Sequence, residues 1–303
     1  MAGEENQLRE RLASAIDRFG HWEPPHNVYL GDGVWTITDQ QPVENSKLRR
    51  IAQLVGDWAI GPPGELRVLD LACEGGIYGL ELARVGAEVL GVEGRAEHVE
   101  RTRFAAEELR LTRYRVEQGD VREVTAATHG TFDVVLCLGI LYHLDAPDVF
   151  RFVHSIAEMC TDLLVLDTSV SLKADEKRVF EGNEYWGRLY MEHQPDASQR
   201  ERLDKLRASL DNPVSFWLTR PSLFNLLIDA GFTSVLETRS PRASTWPEDH
   251  VTLVAKRGSY QPVPGTPNPE DPAVRWPERE ARVRDPQNTF RGRLTRAVRG
   301  VGR

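Results

Sequence analysis

Residues Arg67 to Arg95 read RVLDLACEGGIYGLELARVGAEVLGVEGR, and their order of apolar runs and glycines decides the fold. Val68 to Leu71 is a short apolar run suited to a strand buried on both faces. Cys73 to Gly79 then concentrates three glycines at its end. Leu80, Leu82, Ala83 and Val85 supply one apolar helix face, Gly86 stops that helix, and Glu88 to Val92 gives a second strand ending on Glu93. In a right-handed strand–helix–strand unit, ligands sit beyond the carboxyl ends of the strands. The glycine turn and Glu93 are therefore expected to converge on one nucleotide, with the Glu93 carboxylate accepting both ribose hydroxyls.

The pattern continues outward from this stretch. Ala96 to Leu109 reads as the next helix and Arg113 to Glu117 as a third strand. Gln118-Gly119-Asp120 then places a carboxylate where an adenine amino group can be read. Phe132 to Leu138, FDVVLCL, is a fourth strand that runs into Gly139-Ile140-Leu141-Tyr142-His143-Leu144. A helix begins near Pro147 and reaches about Met159, and Leu163 to Val170 is strand five. Pro221 to Ala230 is an apolar-faced helix closed by Gly231. Ser234 to Arg239 and His250 to Lys256 follow as two closing strands. A hairpin between those two would put an antiparallel strand at the edge of an otherwise parallel sheet.

This ordered set, over roughly residues 48 to 257, resembles the class I S-adenosylmethionine (SAM)-dependent methyltransferases. The resemblance implies an α/β, Rossmann-like fold with a seven-stranded, mostly parallel sheet and helices on both faces. It also implies SAM as cofactor and S-adenosylhomocysteine as product. By position, Glu74, Gly75 and Gly76 carry the methionine part, Glu93 holds the ribose, Asp120 meets the adenine and Asp70 orients the turn. Ala72, Gly94, Val121 and Leu138 complete the expected cofactor contacts. The turn departs from the family where its usual first and second glycines are Ala72 and Glu74. Alanine fits a close-packed turn at negative φ, and Glu74 is expected to meet the ligand's ammonium or to point into solvent.

Before this core, residues 1–44 form an extension. Leu8, Leu12, Ala15, Ile16 and Phe19 recur at helical spacing, and Gly31-Asp32-Gly33 lies between the β-like runs Val28 to Leu30 and Val34 to Ile37. Trp22, His26, Tyr29 and Trp35 in this extension are candidates for a wall of the substrate pocket. Asn45 to Ala59 reads as a helix, ended by GPPG, and opens a methyltransferase domain of residues 45–258. An insertion at 171–214 has no strand of its own in this reading. Within it, Ser198-Gln199-Arg200-Glu201 is a capping box before Leu203, Leu206 and Leu210, which marks a helix. Tyr185, Trp186 and Arg188 precede that helix, and Trp217 follows it. Placed after strand five, these residues together with Tyr142 would roof the active site and select the substrate; the same aromatics would also serve a homodimer contact.

His143 is the expected general base. It follows strand four at the sheet's carboxyl edge, and imidazole titrates near working pH. Asp145, Asp167, Glu184, Glu192 and His193 are further polar groups for that region. Some methyltransferases of sugars and catechols use a magnesium ion, but no ligand spacing identifies a site, and no metal is assigned.

Composition narrows the classes further. The chain has 303 residues, 40% apolar and 28% charged, with a net charge of −8. That acidity argues against general nucleic-acid binding, which phosphate contacts dominate. The three cysteines, Cys73, Cys137 and Cys160, form no CxxC pair, and structural disulfides are not expected. No apolar run reaches the roughly 20 residues of a membrane span, and the charged first residues lack a signal-peptide core, so a cytoplasmic location is expected. After Gly258, Pro262, Pro264, Pro267, Pro269 and Pro272 read as an extended, mobile linker within a 259–303 tail. Arginines then dominate, and Asn288 to Arg299 is patterned as a basic amphipathic helix for an anionic surface, an acidic protein or the acidic body itself.

A small-molecule or sugar-like hydroxyl is the expected methyl acceptor. LGILYHL, LGDGVWTI and SFWLTRPSLFNLL also resemble the enzymes that carboxymethylate wobble uridine in tRNA, which gives the alternative substrate. A nicotinamide-dependent oxidoreductase would use a similar turn, but GxGxxG is missing. A SAM-binding module without catalysis is the remaining class.

Overall fold

The computed structural model describes residues 2–37, 45–239, 247–260, 265 and 275–278. In chain order its elements are α1 (Ala2–Phe19), β1 (Tyr29–Gly31), β2 (Val34–Trp35), α2 (Ser46–Trp58), β3 (Arg67–Leu71), α3 (Ile77–Arg84), β4 (Glu88–Glu93), α4 (Ala96–Glu108), β5 (Tyr114–Gln118), α5 (Ala126–His129) and β6 (Phe132–Leu138). They continue with α6 (Asp148–Met159), β7 (Cys160–Ser169), β8 (Glu176–Phe180), β9 (Asn183–Met191), α7 (Gln199–Asp204), β10 (Val214–Leu218), α8 (Arg220–Asp229), β11 (Ser234–Thr238) and β12 (His250–Lys256).

Seven of the strands form one sheet in the order β11-β12-β7-β6-β3-β4-β5. Alternation along each strand divides the core in two. Leu69, Leu71, Val135, Cys137, Leu164 and Leu166 face α6 and α8, while Val68, Val134, Leu136, Leu163 and Val165 face the layer built from α1, α2 and α3. Both faces are covered, which is why these strands are apolar throughout. The chain leaves β3 toward β4 and β5, then returns to β6 on the other side of β3. The carboxyl edge between β3 and β6 is therefore the switch point where α/β sheets bind ligands.

Three sequence expectations are corrected. The antiparallel strand is not at the edge: β12 pairs antiparallel with both β7 and β11, so β11 takes the edge and runs with the parallel set. The insertion is not strandless, because β8 and β9 form a hairpin that pairs with β10 in a separate three-stranded sheet. Its turn, Glu181-Gly182, has φ of 49° and 82°, as a two-residue primed turn requires. The third is one of extent: the helix marked by the capping box is present, but α7 stops at Asp204, so Leu206 and Leu210 lie outside it.

Part of the 259–303 stretch is docked rather than loose. Arg275 pairs with Asp229 (2.8 Å), Trp276 stacks on Phe224 (4.9 Å between rings), and Glu278 accepts from Thr219 Oγ1 (2.8 Å). The helix expected at Asn288 to Arg299 lies outside the described residues. Among the described residues, no helix is long and apolar enough to cross a membrane. All three cysteines are buried thiols.

Candidate active site

A cleft of about 200 Å³ opens at the switch point. Its floor comes from the ends of four parallel strands: Ala72 and Glu74 after β3, Glu93 to Arg95 at β4, Gly119 to Arg122 after β5, and Gly139 to Leu144 after β6. The roof is Leu206 to Asn212 of the insertion.

The turn after β3 alternates in hand. Ala72 (φ 54°), Glu74 (φ 51°) and Gly76 (φ 73°) all occupy the left-handed region. The negative φ expected at Ala72 is therefore wrong: the backbone keeps the glycine conformation while two of its three positions carry side chains. Each such residue costs on the order of 1 kcal/mol. Fixed contacts hold the turn in place. The Gly79 N–H donates to Asp70 Oδ2 (3.0 Å), the Glu74 N–H donates to Glu93 Oε2 (2.9 Å), and Thr102 Oγ1 donates to the Glu74 carbonyl (2.8 Å). Burial pushes the Asp70 carboxyl up to about 7, against the Gly79 hydrogen bond, and the nearby Glu93 charge adds to the rise.

Glu93 is 4% exposed and accepts from two backbone donors, Glu74 and Arg95 (2.8 Å). A carboxylate has about four acceptor positions, so two remain for a pair of ligand hydroxyls. Beside it, His98 Nδ1 is buried with no hydrogen-bond partner among the described residues, 3.8 Å from Glu93 Oε1. Burial, then the Arg101 charge, lowers the His98 pKa to about 4. Val121, Ile140, Leu206 and Leu210 give the cleft apolar sides for a flat base. At Gly139 a side chain would meet nothing nearer than the Tyr142 hydroxyl, at 3.9 Å. These residues fit a nucleoside with a free diol.

Asp120 lies on the cleft wall, but its carboxylate is engaged by Arg122 Nε (2.9 Å to Oδ2) and caps the short turn that follows. The Arg122 guanidinium continues to Asp211 (2.6 Å), which ties the wall to the roof. Glu74 does not point only into solvent: it lines the cleft, and His26 Nε2 pairs with its Oε2 at 2.8 Å. Burial would raise its pKa, but the hydrogen bond and charge of His26 outweigh that and lower it. Gly75 packs under His26, and Gly76 against Thr102 and Tyr114. Leu138 is packed in the core layer at the end of β6, beside the cleft rather than in its lining.

The base candidate sits at the inner end of the cleft. His143 closes a short 3-10 turn, Leu141–His143, and its Nδ1 lies 3.0 Å from Glu192 Oε2. Glu192 is 1% exposed and also accepts from Ser215 Oγ (2.8 Å) and from the Ser209 N–H (3.1 Å). Burial alone would raise its pKa, but the hydrogen bond and charge of His143 outweigh it, and the carboxyl stays ionised. An ionised carboxylate only accepts, so His143 Nδ1 donates the hydrogen bond to Glu192. The sequence reading named Glu192 only as a possible metal-region group; its pairing with His143 depends on a hairpin that reading lacked.

The expected substrate residues divide. Tyr142 lines the cleft and lies against His143 (4.2 Å) and Trp217 (5.7 Å). Trp217 stacks on Tyr190 (4.5 Å), with Arg188 over its ring (4.6 Å). The others are elsewhere. Tyr185 is fully buried, stacked on Phe150 and bonded to Asp229, because Tyr185 and Gly187 in the first part of β9 face the core. Trp22 is buried against Phe104. Tyr29 is half-exposed on Trp35 and is not part of the cleft lining, and Trp186 carries Lys177 above its ring. His26 serves the glycine turn instead of a substrate wall. Asp145, Asp167, Glu184, Glu192 and His193 do not gather: Asp167 pairs with Lys47 and His250, and Glu184 with Lys177. Among the described residues no group of three or more His, Cys, Asp or Glu is placed to hold a metal ion.

Comparison with known proteins agrees with this geometry. Residues 68–162 match a family model described as a methyltransferase domain. The ubiquinone biosynthesis O-methyltransferase of Psychrobacter cryohalolentis is 36% identical over 99 residues, 32% of this chain and 36% of that protein. The O-antigen chain terminator bifunctional methyltransferase/kinase WbdD of Escherichia coli is 32% identical over 117 residues, 37% of this chain and 16% of that protein. The chain thus spans about half or less of the length of the curated relatives it matches. Among solved structures, the N-terminal domain of EvdMO1 in the presence of SAH and D-fucose superposes with a TM-score of 0.63 at 25% identity, covering 83% of this chain and 97% of that one. The strand order, the matched domain and this likeness identify a methyltransferase domain of the class I, Rossmann-like fold in this chain.

Proposed function

We propose that this protein methylates a hydroxyl oxygen of a small, sugar-like acceptor, with His143 as general base. The observation that carries the reading is the His143–Glu192 pair at the inner end of the cleft, beside the Tyr142, Trp217 and Tyr190 rings. The cofactor supplies an electrophilic methyl group on a good leaving group, so the chain's task is positioning and proton removal. His143 Nε2 takes the hydroxyl proton as the acceptor oxygen forms its bond to the methyl carbon and the carbon–sulfur bond breaks. Glu192 keeps the ring in the required tautomer and offsets the imidazolium charge. In this reading Glu93 holds the ribose, with Asp70, Ala72, Glu74, Gly75 and Gly76 shaping the methionine side, and Gly94, Asp120 and Val121 flank the base. Aromatic faces suit the apolar face of a sugar ring. The names of the relatives support oxygen as the target, and EvdMO1 was crystallised with a deoxy sugar.

Incubation with radiolabelled SAM and a panel of deoxy sugars, nucleotide sugars and phenols tests this. Label should move to a sugar hydroxyl in the wild type and be lost in His143→Ala. Transfer to tRNA, or to nitrogen only, contradicts it.

A further inference from the structure

The segment Lys205–Asn212 touches both halves of the site. On the cofactor side, Leu206 to Asn212 roof the cleft, and Leu210 packs directly on Gly94, the residue after Glu93. Arg95 gathers the segment by donating to the carbonyls of Leu203 (3.4 Å), Lys205 (3.2 Å) and Ala208 (3.3 Å), while Arg122 holds Asp211. On the catalytic side, the Ser209 N–H donates to Glu192 Oε2 (3.1 Å), and Asn212 Nδ2 donates to the His143 carbonyl (3.0 Å). Ala208 and Ser209 are buried between these two sets of contacts.

A ligand seated on Glu93 would share the cleft with Leu206 and Leu210, so movement of this roof would gate its entry and exit. Lifting Ser209 and Asn212 removes one of the donors that fix Glu192 and the side-chain donor to the His143 carbonyl. We propose that Lys205–Asn212 is a cofactor lid whose closure also sets the base, with Glu192, Ser209 and Asn212 as positioning residues. The His143–Glu192 pair is then complete only while the cofactor is enclosed, and the enzyme is committed to transfer when both are in place. This rests on the reading of the cleft as the SAM site.

Coupling between sites is reciprocal, so a change at Glu192, which does not line the cofactor cleft, must be felt by the cofactor. Calorimetric titration of S-adenosylhomocysteine into the full chain should show Glu192→Gln binding about fivefold or more weaker than wild type. An affinity within twofold of wild type would overturn the proposal. A thermal melt establishes whether the variant is folded. If it is not, amide exchange in the wild type decides: S-adenosylhomocysteine should slow the Ser209 amide by about tenfold or more, and an unchanged rate overturns the coupling. No binding to wild type would instead contradict the cofactor reading itself.

Discussion

His143 and Glu192 stand 49 residues apart in sequence, yet their side chains meet at 3.0 Å because the β8–β9 hairpin returns the chain to the end of β6. Glu192 is anchored by three donors and His143 by its own turn, so the pair is held from both sides. Glu192→Gln should lower kcat by about tenfold to a hundredfold at saturating acceptor, with little change in acceptor KM. His143→Ala should lose about a hundredfold or more while keeping its affinity for S-adenosylhomocysteine, since Asn212 bonds its backbone carbonyl and Ser209 still bonds Glu192. Steady-state kinetics of both variants check this; full activity in His143→Ala removes it from the mechanism.

Glu93 offers its remaining acceptor positions from the floor of the cleft. Replacing it with Gln retains the shape but exchanges half of its acceptors for donors. Hydrogen bonds to a charged group contribute about 1.5–3 kcal/mol, so Glu93→Gln should weaken S-adenosylhomocysteine about tenfold or more by calorimetry. An unaltered affinity would show that the ribose lies elsewhere.

Two buried groups next to the cleft give opposite pH slopes. His98 is pushed down to about 4, so between that value and its ordinary 6.5 the unfolded chain binds the extra proton, and stability falls as pH drops through this window. Asp70 is pushed up to about 7, so the folded chain binds the extra proton above the ordinary 3.8, and stability falls as pH rises toward 7. The wild type should therefore show a flattened profile. Melting curves from pH 4 to 8 should steepen toward alkaline loss in His98→Gln, and toward acid loss in Asp70→Asn. Parallel profiles in all three proteins would contradict these assignments.

Trp217 borders Tyr142 and carries Arg188 and Tyr190 on its ring. Trp217→Leu should raise acceptor KM about tenfold, in line with the loss of an aromatic contact and its neighbours' order, and leave cofactor affinity within twofold. Acceptor KM unchanged in that variant would move the acceptor away from this face of the β8–β9–β10 sheet.

The sheet was legible because its information is local: apolar runs, glycine stops and an acid at the end of β4 each report one strand or one turn. Glu93, Gly119 and Asp120 follow from strand ends, and all three line one cleft. The insertion was not legible in the same way. Its Glu181-Gly182 turn lies between alternating strands, a hairpin signal that charged residues and aromatics on both faces obscured. Leu206 and Leu210 continue the helical spacing of Leu203, but the chain leaves the helix after Asp204 and uses them for a roof. Ala72 shows another limit, because the backbone shape of the turn is imposed by Asp70, Glu93 and Thr102 around it and not by the residue's own preference. Tyr185 was placed in the pocket by proximity in sequence, whereas strand alternation sends it to the core.

The central claim is that one nucleoside sulfonium is held on Glu93 with its methyl group directed toward His143. Titration of S-adenosylhomocysteine into wild type and Glu93→Gln tests it most directly. The account predicts a single site per chain, with affinity that collapses in the variant. Absence of heat with the wild type, or equal binding by both proteins, would contradict it.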